Sequence, residues 1–281
     1  MASTFTGDPE KIQVQGSMKC VPALCCFTVL IGLLQIASAQ TSQKVFDIPT
    51  RSGVTQRFVY LAPENPIASV ILFAGGHGGL QISPNGSFKW GEPIFLVRTR
   101  QLFAKNGLSV AVVDAPSDRQ SAPFLGGFRQ TGEHVADIKA VIAWLKQKAN
   151  VPVWLIGTSM GTLSAAFIAT QIGPSDGGPD GLVLTSTIVS FDRGRPVPAM
   201  PLQNITIPVL VVHHENDGCK LCAYAQIPSV MQKLSSTPKK ELLTFKGGVT
   251  RGDPCEALAY HGFNGLENDV VARIAEWIRP K

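Results

Sequence analysis

The sequence predicts an α/β domain: a mostly parallel sheet with helices on both faces. Two patterns carry this expectation. Short apolar runs rich in β-branched residues recur along the chain and end at Gly or Asp, and segments with helical periodicity lie between them. A strand covered on both faces has no polar side, so it reads as a continuous apolar run rather than an alternating one. The composition agrees. Of 281 residues, 44% are hydrophobic and 16% charged, which suffices for a large core and excludes a disordered chain.

The elements follow in order. Lys44–Asp47 and Gln56–Ala62 alternate and predict an antiparallel hairpin at one edge. Ser69–Phe73, Leu108–Val113, Val151–Ile156, Gly181–Leu184, Ile207–Val212 and Glu241–Phe245 are the apolar strands. Gly132–Ala149 places Val135, Ile138, Val141, Ile142 and Leu145 on one helical face, and a second helix is expected from Met160 to about Gln171. Leu266–Ile278 repeats the pattern with Val270, Val271, Ile274 and Trp277, and Asn264 three residues before Glu267 suggests its start. No repeat, low-complexity tract or linker interrupts 40–281, so that region is expected to be a single domain.

Residues 1–39 are a different kind of sequence. Met18-Lys19 precedes the apolar stretch Val21–Ile36, and Ala37-Ser38-Ala39-Gln40 follows it. A basic start, a short apolar core and small residues before a break describe a secretory signal peptide at 18–39, cut near Ala39. The polar residues 1–17 read as an upstream extension. Export to the periplasm or beyond the cell is expected, with no stable membrane insertion after cleavage, since Pro22 and Gln35 interrupt a stretch already short for a span. The net charge of +5 comes from 25 basic residues that are scattered, so no nucleic-acid partner is expected. The sequence sets no oligomeric state.

Cleavage would leave three of the six cysteines: Cys219, Cys222 and Cys255. An oxidising compartment favours one disulfide and one remaining thiol. Zinc held by these cysteines and a histidine is the rival, but no second ligand pair has finger spacing, and no metal is expected.

Gly157-Thr158-Ser159-Met160-Gly161 lies between the strand Val151–Ile156 and a helix. A Gly-x-Ser-x-Gly pentad is a weak signal in a chain with 27 glycines, but strand–pentad–helix is the context of a nucleophile elbow. There the serine occupies a strained turn that leaves no room for flanking side chains. A serine hydroxyl needs a base, and in the order Ser, acid, His that base follows Ser159. His213 and His214 close a strand and leave no room for an earlier acid. His261 follows the strand Glu241–Phe245 through a long loop and is the expected base. Asp217, beside Gly218, is the preferred acid, with Glu215 second and Asp253 third. The turn Ala74-Gly75-Gly76-His77-Gly78-Gly79 would supply an oxyanion hole, one amide from Gly76 or His77 and the other from Met160. A phosphate-binding loop is the alternative, but no Gly-Lys-Ser/Thr follows. Leu80–Trp90, Pro116–Phe128 and Ile188–Met200 are expected to wall the pocket, with Arg119, Arg193 and Arg195 available to an acidic substrate.

On the glycine turn at 75–79, the pentad at 157–161, Asp217 in His-His-Glu-Asn-Asp and His261 in Tyr-His-Gly-Phe, the chain resembles the α/β-hydrolase superfamily over essentially all of 40–281. The resemblance implies an eight-stranded sheet, a Ser159–Asp217–His261 triad, acyl-transfer chemistry on a small-molecule acyl substrate and no cofactor. It implies a carboxylesterase-like hydrolase, with a peptidase or amidase, or a catalytically silent binding protein, as alternatives. Superfamily members often carry a helical lid after the strand matching Gly181–Leu184. Here only Thr185–Asn204 intervenes, with three prolines in Thr185–Pro201, so little or no lid is expected. If the Asp217 and His261 loops touch, a bridge from Cys255 to Cys219 or Cys222 would join them.

Overall fold

Eight strands form one sheet in the order β1-β2-β4-β3-β5-β6-β7-β8. The computed structural model describes residues 2, 4 and 41–280. The expected signal segment at 18–39 therefore lies outside the described residues, as does the expected extension at 1–17 apart from two positions. Gln40–Lys281 makes one compact unit.

The elements run β1 (Gln43–Arg51), β2 (Val54–Leu61), β3 (Ala68–Phe73), α1 (Phe95–Arg98), α2 (Arg100–Lys105), β4 (Leu108–Val113), α3 (Gly132–Lys148), β5 (Val153–Thr158), α4 (Gly161–Gln171), β6 (Gly181–Thr185), β7 (Val209–His214), α5 (Ile227–Lys233), β8 (Lys240–Phe245) and α6 (Glu267–Ile278). β1 and β2 are the expected antiparallel hairpin, β2 pairs antiparallel with β4, and every later pairing is parallel. The strands alternate between two apolar layers, as their period of two requires. Ile71, Leu155, Leu184 and Val211 point to the layer of α3, α4 and α5, while Val70, Leu72, Ile156 and Val212 point to that of α1, α2 and α6. All six residues of β3, β4 and β5 are buried, which is why these strands read as unbroken apolar runs.

From β3 the chain moves to β4 on one side, and after β4 it crosses back to β5 on the other. The crevice at the carboxyl ends of β3 and β5 is thus a topological switch point, where open α/β sheets bind ligands. The glycine turn follows β3 and the serine pentad follows β5, so both expected site loops open there.

Between β6 and β7 there is no α-helix. Two short 3₁₀ turns, Val197–Ala199 and Leu202–Asn204, carry the segment, and Ile188, Val197, Leu202 and Ile205 are buried in the core. This connection is a packed wall, in keeping with the expected absence of a bulky lid. Two expectations need correction. α6 has Leu266, not Asn264, at its N-cap; the Asn264 side chain instead donates to the carbonyls of Val249 and Leu258. The pentad glycine Gly157 and Thr158 belong to β5, which starts two residues later than expected.

α3 buries His134 with both ring nitrogens unpartnered among the described residues, its ring against Phe73 and Phe128. Burial, reinforced by Arg129 and Arg51, drives its pKa from 6.5 to about 3. The native chain therefore holds a neutral ring where the unfolded chain takes up a proton. This contribution is complete above pH 6.5 and is lost as pH falls toward about 3. In chemical denaturation at stepped pH, His134→Leu should flatten that acid slope by up to about 1.4 kcal/mol per pH unit. Equal slopes in the variant and the parent would assign the acid sensitivity to other groups.

Candidate active site

β5 ends in a turn with little steric latitude. Ser159 sits at φ +52°, in the left-handed region. Its N–H donates to Thr185 O at 3.1 Å, and its carbonyl accepts from the Thr162 N–H at 2.9 Å. A Cβ at Gly161 would lie 2.1 Å from Phe73 O, and one at Gly157 would lie 2.5 Å from Gly161 O. The flanking glycines are there because backbone occupies the space. The Ser159 side chain is left half-exposed at the amino end of α4.

The glycine turn rises against this serine: a Cβ at Gly75 would be 3.1 Å from Ser159 Cβ. Two buried charges hold the turn. Arg129 donates to Ala74 O at 3.2 Å, Gly76 O at 3.1 Å and Ser164 Oγ at 2.9 Å. The Asp114 carboxylate accepts the N–H groups of Leu80, Gln81, Ile82 and Ala115 at 2.6 to 3.1 Å. Burial lowers the Arg129 pKa from 12.5 to about 9, so the cation persists at neutral pH despite desolvation. With Arg129 on the carbonyls, the turn can present its amides toward the serine. Gly76 and His77 are exposed at this rim. The His77 ring stacks on Phe124 at 4.5 Å and its Nδ1 accepts the Gly79 N–H at 3.1 Å, so it braces the turn and, in its neutral form, carries its proton on Nε2. Burial and Arg129 lower its pKa, which favours that neutral form.

Asp217 and His261 meet. His261 Nδ1 and Asp217 Oδ2 are 2.9 Å apart, and both side chains are buried. The second oxygen, Oδ1, accepts the Cys219 N–H at 2.9 Å. A proton on Nδ1 leaves Nε2 as the acceptor, the tautomer a general base needs. Nε2 is buried without a partner among the described residues, so the Ser159–His261 hydrogen bond is not formed in this state. Such contacts are often long before substrate binds. The histidine loop is tied to the elbow by another route. Ser186 Oγ donates to His261 O at 2.6 Å, and the preceding Thr185 carbonyl holds the Ser159 N–H.

The alternative acids point elsewhere: Glu215 pairs with Lys246 at 2.9 Å, and Asp253 accepts the Cys255 N–H at 2.8 Å. His214 donates from Nε2 to Gly247 O at 2.9 Å and stacks on Tyr260. His213 is buried, its pKa lowered by desolvation. Arg119 lies over the Phe128 ring, and the exposed Arg193 and Arg195 take no part in the Asp217–His261 pair.

Cys219 is bonded to Cys255, which joins the acid loop to the histidine loop across 36 residues of chain, and Cys222 remains a buried thiol donating to Ser186 O at 3.2 Å. Burial and the Asp217 charge push the Cys222 pKa upward. Sequence reasoning missed Asp114, Arg129 and Ser186. Only the first had a local signal, an acid directly after an apolar strand.

The fold and its crevice define an α/β-hydrolase fold. No protein-family model matches the chain, and no curated protein sequence does. Its structure is similar to a cold-adapted esterase from an Arctic intertidal metagenomic library, at 18% identity and TM-score 0.59, covering 86% of this chain and 95% of that one. A Pyrococcus furiosus esterase matches at 15% identity and TM-score 0.60, covering 85% and 91%. Dienelactone hydrolase from Anabaena variabilis matches at 15% and 0.56, covering 85% and 97%.

Replacing Arg129 strands two buried acceptors, Ala74 O and Ser164 Oγ, and a half-buried one, Gly76 O. Arg129→Met should cost about 3 kcal/mol in urea unfolding. A cost below about 1 kcal/mol would mean that the freed carbonyls find other donors.

Proposed function

We propose that the chain is a serine hydrolase that cleaves carboxylic esters through an acyl-enzyme on Ser159. The observation that carries this is the buried 2.9 Å Asp217–His261 bond, which sets the imidazole tautomer, with the His261 carbonyl tied through Ser186 to the Thr185 that holds the positive-φ Ser159. Ser159 Oγ attacks the acyl carbonyl while His261 Nε2 accepts its proton, and Asp217 stabilises the imidazolium. The amides of Met160 and of Gly76 or His77 take up the developing oxyanion. The leaving alcohol departs with the proton from His261, and water, activated by the same imidazole, clears the acyl group. The esterases and hydrolases of similar fold support this at the level of fold. No step calls on a cofactor or metal.

Export also belongs to this proposal. A disulfide between two loops suits an oxidising compartment, and among the described residues no helix is long and apolar enough to cross a membrane. The signal segment 18–39 would be removed and 40–281 would work as a single domain.

A fluorophosphonate probe should label the chain and fail on Ser159→Ala. Ester turnover should drop by at least roughly 10⁴-fold in that variant and by roughly 10³–10⁴-fold in Asp217→Asn, mostly in kcat. Labelling that survives Ser159→Ala would move the nucleophile elsewhere, and no labelling of the folded parent would favour a silent binding protein. Among graded acyl esters, short chains should turn over fastest, since the packed β6–β7 connection offers no mobile cover for a long chain. Highest rates on long-chain emulsions would reject that preference.

A further inference from the structure

The free thiol of Cys222 has no part in acyl transfer, yet it lies in the most chemically loaded spot of the molecule. One sulfur each from Cys219 and Cys222 and a ring nitrogen of His261 lie within 4.8 Å of one another, and all three residues are buried. Cys255 lies outside that trio and is exposed, but its Sγ is bonded to Cys219 Sγ at 2.03 Å, so reduction would free a further thiol beside the cluster. Ligand atoms around a tetrahedral zinc with about 2.3 Å bonds to sulfur stand about 3.8 Å apart, so the cluster needs to contract by about 1 Å or less. His261 Nε2, buried and unpartnered among the described residues, adds a donor with unspent hydrogen-bonding capacity.

We propose that opening the Cys219–Cys255 bond turns these four residues into a thiolate–imidazole site for a thiophilic divalent cation such as Zn²⁺, and that the bound metal silences the hydrolase by taking His261. The ligand set, three sulfurs and one imidazole, is that of closed structural zinc sites. While the disulfide stands, the Cys219 and Cys255 sulfurs have no thiolate to offer and the site is shut. A dithiol reductant supplies two electrons and two protons to the Cys219–Cys255 bond, becomes a disulfide itself and leaves two thiols. Binding then releases the three thiol protons to solvent as three thiolates form on the metal. Burial keeps Cys222 protonated and inert until a cation supplies the compensating charge. Whichever ring nitrogen binds, the imidazole is lost to Ser159. Metal on Nδ1 displaces the Asp217 bond, and metal on Nε2 occupies the lone pair that would accept the serine proton. The site itself is independent of the proposed function; its inhibitory effect rests on that reading.

The experiment uses the full chain, reduced and freed of metal, with Co²⁺ and then Zn²⁺ as probes. Stoichiometric Co²⁺ should give a near-ultraviolet thiolate-to-cobalt band and strong tetrahedral visible bands, both removed by Zn²⁺ and both absent from the oxidised chain. Cys222→Ser and Cys222→Ala should each weaken cobalt binding by at least about tenfold. Ser159→Ala should bind cobalt as the parent does, so a failure of the hydrolase assignment leaves this result standing. In the reduced parent, stoichiometric Zn²⁺ should cut ester turnover by at least about tenfold, with recovery on chelation. Reduced, folded protein without a thiolate–cobalt band overturns the site, as do bands indifferent to both Cys222 variants. Loss of helical circular dichroism on reduction overturns it too, because the site requires the folded frame.

Discussion

The Asp217–His261 hydrogen bond is the constraint on which the rest of the site depends. It joins two loops 44 residues apart in sequence, one following β7 and the other following β8. Each loop carries only a single short 3₁₀ turn near the pair, Lys220–Cys222 and Tyr260–Gly262, so each is fastened separately. Asp217 is oriented by the Cys219 amide, His261 is anchored through its carbonyl to Ser186, and the Cys219–Cys255 bond closes the pair. A buried carboxylate is costly unless its oxygens are satisfied, and here one oxygen has a backbone donor and the other the imidazole. The bond therefore serves twice: it orients the ring and it makes the buried acid tolerable.

The other half of the site is organised by charge as well. The glycine turn has few side chains to pack, so its shape comes from outside. Asp114 gathers the three amides just past the turn, at Leu80, Gln81 and Ile82, and Arg129 takes two carbonyls within it. Opposite charges acting on opposite poles of the peptide units fix the turn beside Ser159, and under the proposed function its amides would meet the oxyanion. Such dipoles stabilise an oxyanion only if they are fixed before charge develops, since reorientation during the reaction would cost what it gains.

Much of this was legible from sequence, for a physical reason. Strands buried on both faces leave unbroken apolar runs, so β3, β4 and β6 were visible nearly to the residue, and α3 and α6 announced themselves by period. α1, α2 and α5, at four, six and seven residues, are too short to display one. The Asp217–His261 pairing could be anticipated because chain order and strand context constrain it. Arg129, Asp114 and Ser186 could not, because their roles exist only once distant backbone is brought to them. The cysteine partner was left between Cys219 and Cys222, three residues apart. The choice of Cys219, with its Cα 4.5 Å from that of Cys255, is a matter of coordinates, not of spacing.

The distribution of backbone strain ties these observations together. Among the described residues, five non-glycine positions have positive φ: Gln81, Phe124, Ser159, Ser186 and Phe263. Every one belongs to the site or its supports. Gln81 is held by Asp114, Phe124 carries the His77 ring, Ser186 anchors His261, and Phe263 turns the chain two residues after it. Each such residue costs about 1–2 kcal/mol, so together they reach about 5–10 kcal/mol, comparable to the net stability of a whole domain. Strain of that size persists only where the surroundings over-determine the backbone. The doubly covered sheet provides the surplus, with strands buried end to end beneath the crevice, and the strained residues gather where that rigid frame meets the loops. The strained turn at Ser159 is the geometry that the proposed nucleophile role calls for, with the side chain held clear of its own strand and helix.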